Sequence, residues 1–242
     1  MKKLVFTFTL NLFLVGCSLG GIGTQTVVLG DVCYKIPSRT VDHSALLQFF
    51  EKHLTGTDET GNDMLINFTA QETAKGAEGY QMWVPGSDSM YQDGISAVVA
   101  SLTHKNVEYI KSGVHDKDMW LGTGDYAEKE SGRKIEYDPQ VGLYRIYRRD
   151  FPSSWTFVDI DPNKVHNFPP GSKHEIAGCR RTKRMEKTGY SCLRTMLRGN
   201  ISVQYWVGEV NFPLYHKIDD FIYGKLEEWR VAALKGGKCP QR

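Results

Sequence analysis

Long apolar runs are scarce in this chain of 242 residues. The longest, Leu4 to Gly16, is interrupted by Thr7, Thr9 and Asn11 and falls short of the roughly 20 residues a helix needs to cross a bilayer. Catalytic signatures are missing as well. The chain has no G-x-S-x-G elbow, H-E-x-x-H pair, P-loop or dinucleotide-binding glycine pattern. Gly122-Thr123-Gly124 carries only two glycines with no helix signal behind it, so it reads as a turn. The histidines are scattered without ligand spacing and read as surface or turn residues. Asp116, Asp118 and Asp125, beside His115, gather hard oxygen ligands in one stretch, but lack the spaced acids ending in Glu of a calcium loop. We therefore expect no metal, no cofactor and no enzyme. An excess of one charge is also lacking, since the formal net charge is only +2, which argues against a globally basic nucleic-acid binder.

What is present begins at the N-terminus. Met1-Lys2-Lys3 is a short positive segment, and the apolar run behind it has the length of an export signal. The run ends in Leu14-Val15-Gly16-Cys17, which resembles the lipobox of bacterial lipoproteins. The resemblance implies cleavage before Cys17, transfer of a diacylglyceryl group to its nucleophilic sulfur, and a second acylation on the new amino group. Because Ser18 rather than Asp follows, it also implies the periplasmic face of the outer membrane. An ordinary signal peptide with a chance cysteine is the competing reading; charge, length and lipobox coincide against it. Ser18 to Thr26 is rich in Gly and Thr and has no periodicity, so it reads as a flexible tether. The expected layout is a signal over 1–16, a lipidated tether over 17–26 and one α+β domain over 27–242. Two lobes meeting near 132 are the alternative.

Four cysteines remain besides Cys17, an even number that suits two disulfides in an oxidising compartment. Four cysteines allow three connectivities; the one favoured joins Cys179 with Cys192, which could face each other across a hairpin, and Cys33 with Cys239. Zinc is the competing reading, but no C-x-x-C or paired Cys/His spacing occurs.

Apolar periodicity supplies the elements. Asp31–Ile36, Met64–Phe68, Ile95–Leu102, Leu143–Arg149, Trp155–Ile160, Glu175–Arg181, Tyr190–Leu197 and Ile201–Gly208 read as strands. Gly199-Asn200 marks a tight hairpin between the last two. Ser44–Leu54 reads as a short helix, 55–62 as a loop, and Lys111–Gly132 as loops around Met119-Trp120-Leu121. Leu214, Ile218, Phe221, Ile222, Leu226 and Trp229 form one stripe of a long C-terminal amphipathic helix, about Leu214 to Ala233. The fold class expected is α+β, a mainly antiparallel sheet with that helix packed on it. The aromatics Tyr205, Trp206, Phe221 and Trp229 read as core.

Charge is unevenly spread. Cys179 to Arg198 holds Arg180, Arg181, Lys183, Arg184 and Lys187 in one cluster, whose plain reading is a solvated strand end and whose functional reading is an electrostatic dock. Acidic stretches at Asp58–Asp63 and at Asp116, Asp118 and Asp125 are the complementary candidates. The layout of lipobox, α+β body and C-terminal strand-plus-helix (Ile201–Trp206, then the helix to Trp229) resembles immunity lipoproteins that neutralise phospholipase effectors of type VI secretion. That resemblance implies occlusion of a secreted toxin. A structural lipoprotein of an envelope complex and a periplasmic hydrolase with a non-local site are the alternatives.

Overall fold

Alternating apolar residues along short segments make most of this molecule a sheet. A computed structural model describes residues 23–42, 63–82, 94–124, 134–149, 151–165, 174–184 and 187–236. Strands β1 (Thr24–Leu29) and β2 (Val32–Pro37) form an antiparallel ribbon around Gly30, whose φ of +59° suits glycine. The strands of the main sheet are β3 (Val41–Asp42), β4 (Asp63–Thr69), β5 (Gly94–Ser101), β6 (Ile135–Asp138) and β7 (Leu143–Tyr147). They are joined by β8 (Ser154–Val158), β9 (Glu175–Arg184), β10 (Lys187–Arg198) and β11 (Ile201–Gly208). Their spatial order is β3-β4-β5-β11-β10-β9-β8-β7-β6, and every neighbouring pair is antiparallel. Strands from before and after residue 132 thus share one sheet, meeting where β5 pairs with β11.

Among the described residues the helices are α1 (Ala70–Gly76), α2 (His104–Ser112), α3 (Lys117–Leu121) and α4 (Tyr215–Lys235). The architecture is α+β as expected, with the long C-terminal helix on a mainly antiparallel sheet. Ile218, Phe221, Ile222, Leu226 and Trp229 of α4 join Ile201, Val203, Tyr205 and Val207 of β11 in one buried cluster. Each such side chain contributes about 1.5–3 kcal/mol by leaving water. The β1–β2 ribbon adds Leu29, Tyr34 and Ile36 to the same cluster. Helix α1 approaches α4 so closely that a Cβ on Gly76 would lie 2.0 Å from Phe221 Cδ2. A second, smaller cluster lies on the opposite face, where Met119 and Trp120 of α3 pack with Ile146 and Val158 of β7 and β8.

Three expectations need correction. Residues 24–26, read as tether, are the start of β1, held in register from Thr24 opposite Pro37 onward; Thr24 and Thr26, leading into Val27 and Val28, have strand propensity that the preceding glycines obscured. Helix α2 was hidden by its polar composition. Its ends carry the usual signals, a Thr103 side chain accepting from Asn106 N and Gly113 in the left-handed region. Met119-Trp120-Leu121, the segment expected among loops, is helical. The helix expected over 44–54 and the loop over 55–62 lie outside the described residues, as do Cys17 and the signal.

Candidate functional site

A strand sends successive side chains to opposite faces. In β11, Ile201, Val203, Tyr205 and Val207 enter the core beneath α4, so Ser202, Gln204 and Trp206 belong to the other face. Register carries this division across the sheet. Trp206 opposes Leu193, Leu193 opposes Gly178, and Gly178 opposes Thr156, giving one row across four strands. Ser191, Arg180 and Ser154 form the row beside it, and Thr195 with Gln204 begins another.

Neighbouring parts of this face are filled. Helix α3 covers the β7–β8 region, and Leu65, Val98 and Ala100 are buried on β4 and β5. What remains between them is a groove of about 700 Å³, floored by β8 to β11 and walled by Asn106, Tyr109 and Ile110 of α2. Gly178, Arg180 and Thr195 are exposed along it. A Cβ on Gly178 would meet no atom within 4 Å.

The groove's charge is concentrated at one end. The Arg180 guanidinium lies over the Trp206 ring, 5.0 Å from its centroid, and that of Arg148 lies over the Phe151 ring at 5.0 Å. Arg148 N bonds Ser154 O, and Ser154 stands opposite Arg180 in register, so the two arginines share that end. Glu175 is the one carboxylate in the lining among the described residues. Five residues along β9 from Arg180, it lies about 17 Å away.

The side beneath the groove is rigidly tied. Cys179 and Cys192 face each other in register and form a disulfide between β9 and β10. Arg194 of β10 donates from Nε and Nη2 to Asp219 Oδ2 of α4, at 3.2 and 2.9 Å. The Tyr205 hydroxyl donates to the other Asp219 oxygen at 2.7 Å. Burial, and then the Asp219 carboxylate, push the Tyr205 phenol well above its ordinary value, so it remains a donor. Arg145 covers the ring cluster of Trp155, Phe157 and Tyr190 and pairs with Asp138. His174 Nδ1 lies 2.8 Å from Asp159 Oδ1, where the ends of β8 and β9 also bond through their backbones.

The basic cluster does not form one surface. Arg180 faces the groove, whereas Arg181 is exposed at the position whose alternation points it to the α4 side, and its charge acts on Lys134 there. Lys183 pairs in register with Thr188, and Arg184 with Lys187, at the far end of the β9–β10 hairpin. Asp116 is buried in a short 3-10 turn and is not available to a partner surface. Asp118 is exposed and accepts from the Thr123 hydroxyl. Cys33 is disulfide-bonded, with its partner outside the described residues. Trp206, read as core with Tyr205, lies on the opposite face because adjacent strand residues cannot share one. Tyr109, Gly178, Leu193 and Thr195 were not singled out from sequence. The available signal was Trp206 itself, an aromatic in the polar phase of an otherwise clean alternation. Among the described residues no group of three His, Cys, Asp or Glu side chains is placed to hold a metal, and no helix is long and apolar enough to cross a membrane.

No protein-family model matches the chain, and no curated protein matches it. Among solved structures it is similar to Smlt3025, an immunity protein of the Stenotrophomonas maltophilia type IV secretion system. That likeness has 10% identity and a TM-score of 0.45, and covers 86% of this chain and 94% of the other. It is also similar to the Neisseria meningitidis iron-regulated outer membrane lipoprotein FrpD, at 12% identity and a TM-score of 0.38 over 86% of this chain and 93% of that one. At these values neither likeness carries an argument about function, which rests on the surface itself.

Proposed function

We propose that this chain is a lipid-anchored periplasmic immunity protein, acting by binding and occluding a secreted toxin through the open face of its sheet. The observation that carries the reading is the groove over β8 to β11. One face of these strands is sealed by α4, while on the other Tyr109 and Arg180 are exposed beside the half-buried Trp206. Trp, Tyr and Arg are the residue types that dominate the energy of protein–protein contacts. The fixed backbone beneath them, tied by the disulfide and by Asp219, lowers the entropy that binding must overcome.

The lipobox supports the location. Two or more acyl chains at Cys17, each buried CH₂ contributing about 0.8 kcal/mol, hold a domain firmly on a bilayer. In this reading the anchor sits in the outer membrane, and the partner is a phospholipase effector delivered by type VI secretion. Acyl chains on Cys17 keep the binding domain in the compartment where such an enzyme meets its lipid.

The test starts with the tagged full chain, recovered from membranes together with what it binds. We expect one soluble partner in one-to-one ratio that is toxic to cells lacking this chain. Wild type should protect those cells, and Gly178→Trp, which fills the groove where a side chain meets no atom, should not. Cys17→Ser should move the protein out of the membrane pellet. Recovery of several envelope subunits in place of a toxin replaces the reading with an assembly role. Turnover of phospholipid or peptidoglycan by the purified chain, lost on changing one histidine, replaces it with an enzyme.

A further inference from the structure

We infer that the groove takes an extended acidic segment of the partner protein, with an Asp or Glu carboxylate paired to Arg180 and a neighbouring apolar side chain laid on Leu193 and Trp206. The inference rests on the docking role given to this face above and adds the chemistry of what docks.

Three observations carry it. First, among the described residues no carboxylate lies within ion-pair distance of Arg180, and Glu175, which lines the same groove, is far down the strand. Second, the Arg180 guanidinium is already stacked over Trp206, 5.0 Å from the ring centroid. A planar guanidinium held on an aromatic ring keeps its edge donors directed outward, the geometry that receives a carboxylate through two parallel hydrogen bonds. Third, the groove follows β9 from Glu175 to Arg180 over a floor with small side chains at Ser154, Thr156 and Gly178. That length is spanned by about five extended residues. Positive charge confined to one end of the groove suits a peptide, which places its charge at one point, over a uniformly anionic lipid surface.

The experiment follows the indole N–H resonance of Trp206 in the full chain, held in detergent and assigned by its loss in Trp206→Phe. The probes are three synthetic hexapeptides of identical apolar content that differ at one position, Asp, Asn or Lys, and vesicles of phosphatidylglycerol. The Asp peptide should shift the resonance and bind at least tenfold more tightly than the Asn peptide, with the Lys peptide weakest. Arg180→Gln should erase the tenfold difference, and Gly178→Trp should prevent the shift altogether. Equal binding of Asp and Asn peptides, no shift with any peptide, or a shift with vesicles in place of peptides overturns the inference. If the peptides fail while Gly178→Trp still abolishes protection from the toxin, the carboxylate contact is wrong and the docking face stands. If Gly178→Trp leaves protection intact, the docking face falls and this inference falls with it.

Discussion

On the face beneath α4, strands β10 and β11 present Tyr190, Cys192, Met196, Val203, Tyr205 and Val207, all buried. On the other face the same strands present Ser191, Leu193, Thr195, Gln204 and Trp206, which line or border a groove. The backbone, the register and the disulfide are common to both. Only the phase of the alternation differs, and along β10 and β11 it separates a side packed under α4 from a side that lines the groove. The first side contains the costly features, a buried ion pair and stacked rings such as Phe157 with Phe212, 4.9 Å apart. The second has Gly178 and Thr195 exposed beside Leu193 and Trp206.

The sharpest way to break this division is to attack the sealed side. Asp219→Ala removes the carboxylate that Arg194 and Tyr205 share, leaving the Arg194 guanidinium on the Ile176 carbonyl at 2.6 Å and the Tyr205 hydroxyl on the Tyr215 carbonyl at 3.3 Å. Removing one partner of a buried pair costs about 3–5 kcal/mol; with those carbonyls still in place we expect the unfolding free energy from urea denaturation to fall by about 3 kcal/mol. A loss under 1 kcal/mol means that the contact between α4 and the sheet is not what holds the floor of the groove. Next in size is the double change Cys179→Ala with Cys192→Ala, which opens a short loop closure worth about 3 kcal/mol in the chain-entropy model. Alkylation of the denatured, unreduced chain should label none of Cys33, Cys179, Cys192 and Cys239. That outcome is expected if Cys33 is bridged to Cys239 as Cys179 is to Cys192. Two labelled thiols would refute it.

The sealed side was legible in the sequence because burial writes a period. Ile201, Val203, Tyr205 and Val207 repeat every second residue, and Ile218, Phe221, Ile222 and Leu226 repeat at helical spacing; both sets lie in the core cluster. Gly199-Asn200 fixed their hairpin, with Gly199 at φ +63°. The groove was much less legible. Its residues come from α2, from the turn before β8 and from four strands, and what relates them is register, which a single strand does not encode. The basic cluster shows the cost of reading charge along the chain. Arg180 and Arg181 are adjacent in sequence, yet alternation separates them across the sheet. Asp116 shows the same for an acid, buried among residues whose composition reads as loop.

Smaller effects sharpen the comparison. At the start of α1, the Thr69 side chain accepts from Glu72 N while Glu72 accepts from Thr69 N at 3.0 Å, a reciprocal cap. Thr69→Ala should lower stability by about 1 kcal/mol. Burial pulls the Glu72 carboxyl upward, but the Thr69 amide and hydroxyl and the Arg39 guanidinium outweigh it and hold it below the ordinary value of 4.5. Because the folded value is the lower one, the stabilisation is complete above the ordinary value and is lost as pH falls through the folded one. The stability difference between wild type and Glu72→Gln should therefore be constant near neutrality and vanish in stronger acid. A difference that grows on acidification reverses the assigned sign.

The least effect is expected on the open face, and its smallness is the point. Thr195 and Met196 are neighbours on β10 that point to opposite sides, the first exposed and the second buried. Met196→Ala should cost about 2–5 kcal/mol, as deletion of a core side chain does, whereas Thr195→Ala should stay within about 0.5 kcal/mol, as a surface change does. Urea denaturation of the two variants reads both numbers on one strand, with the backbone pairing unchanged. If Thr195 costs as much as Met196, the face is already packed against other parts of this chain. The groove is then core rather than a place for a partner, and both proposals built on it fail together.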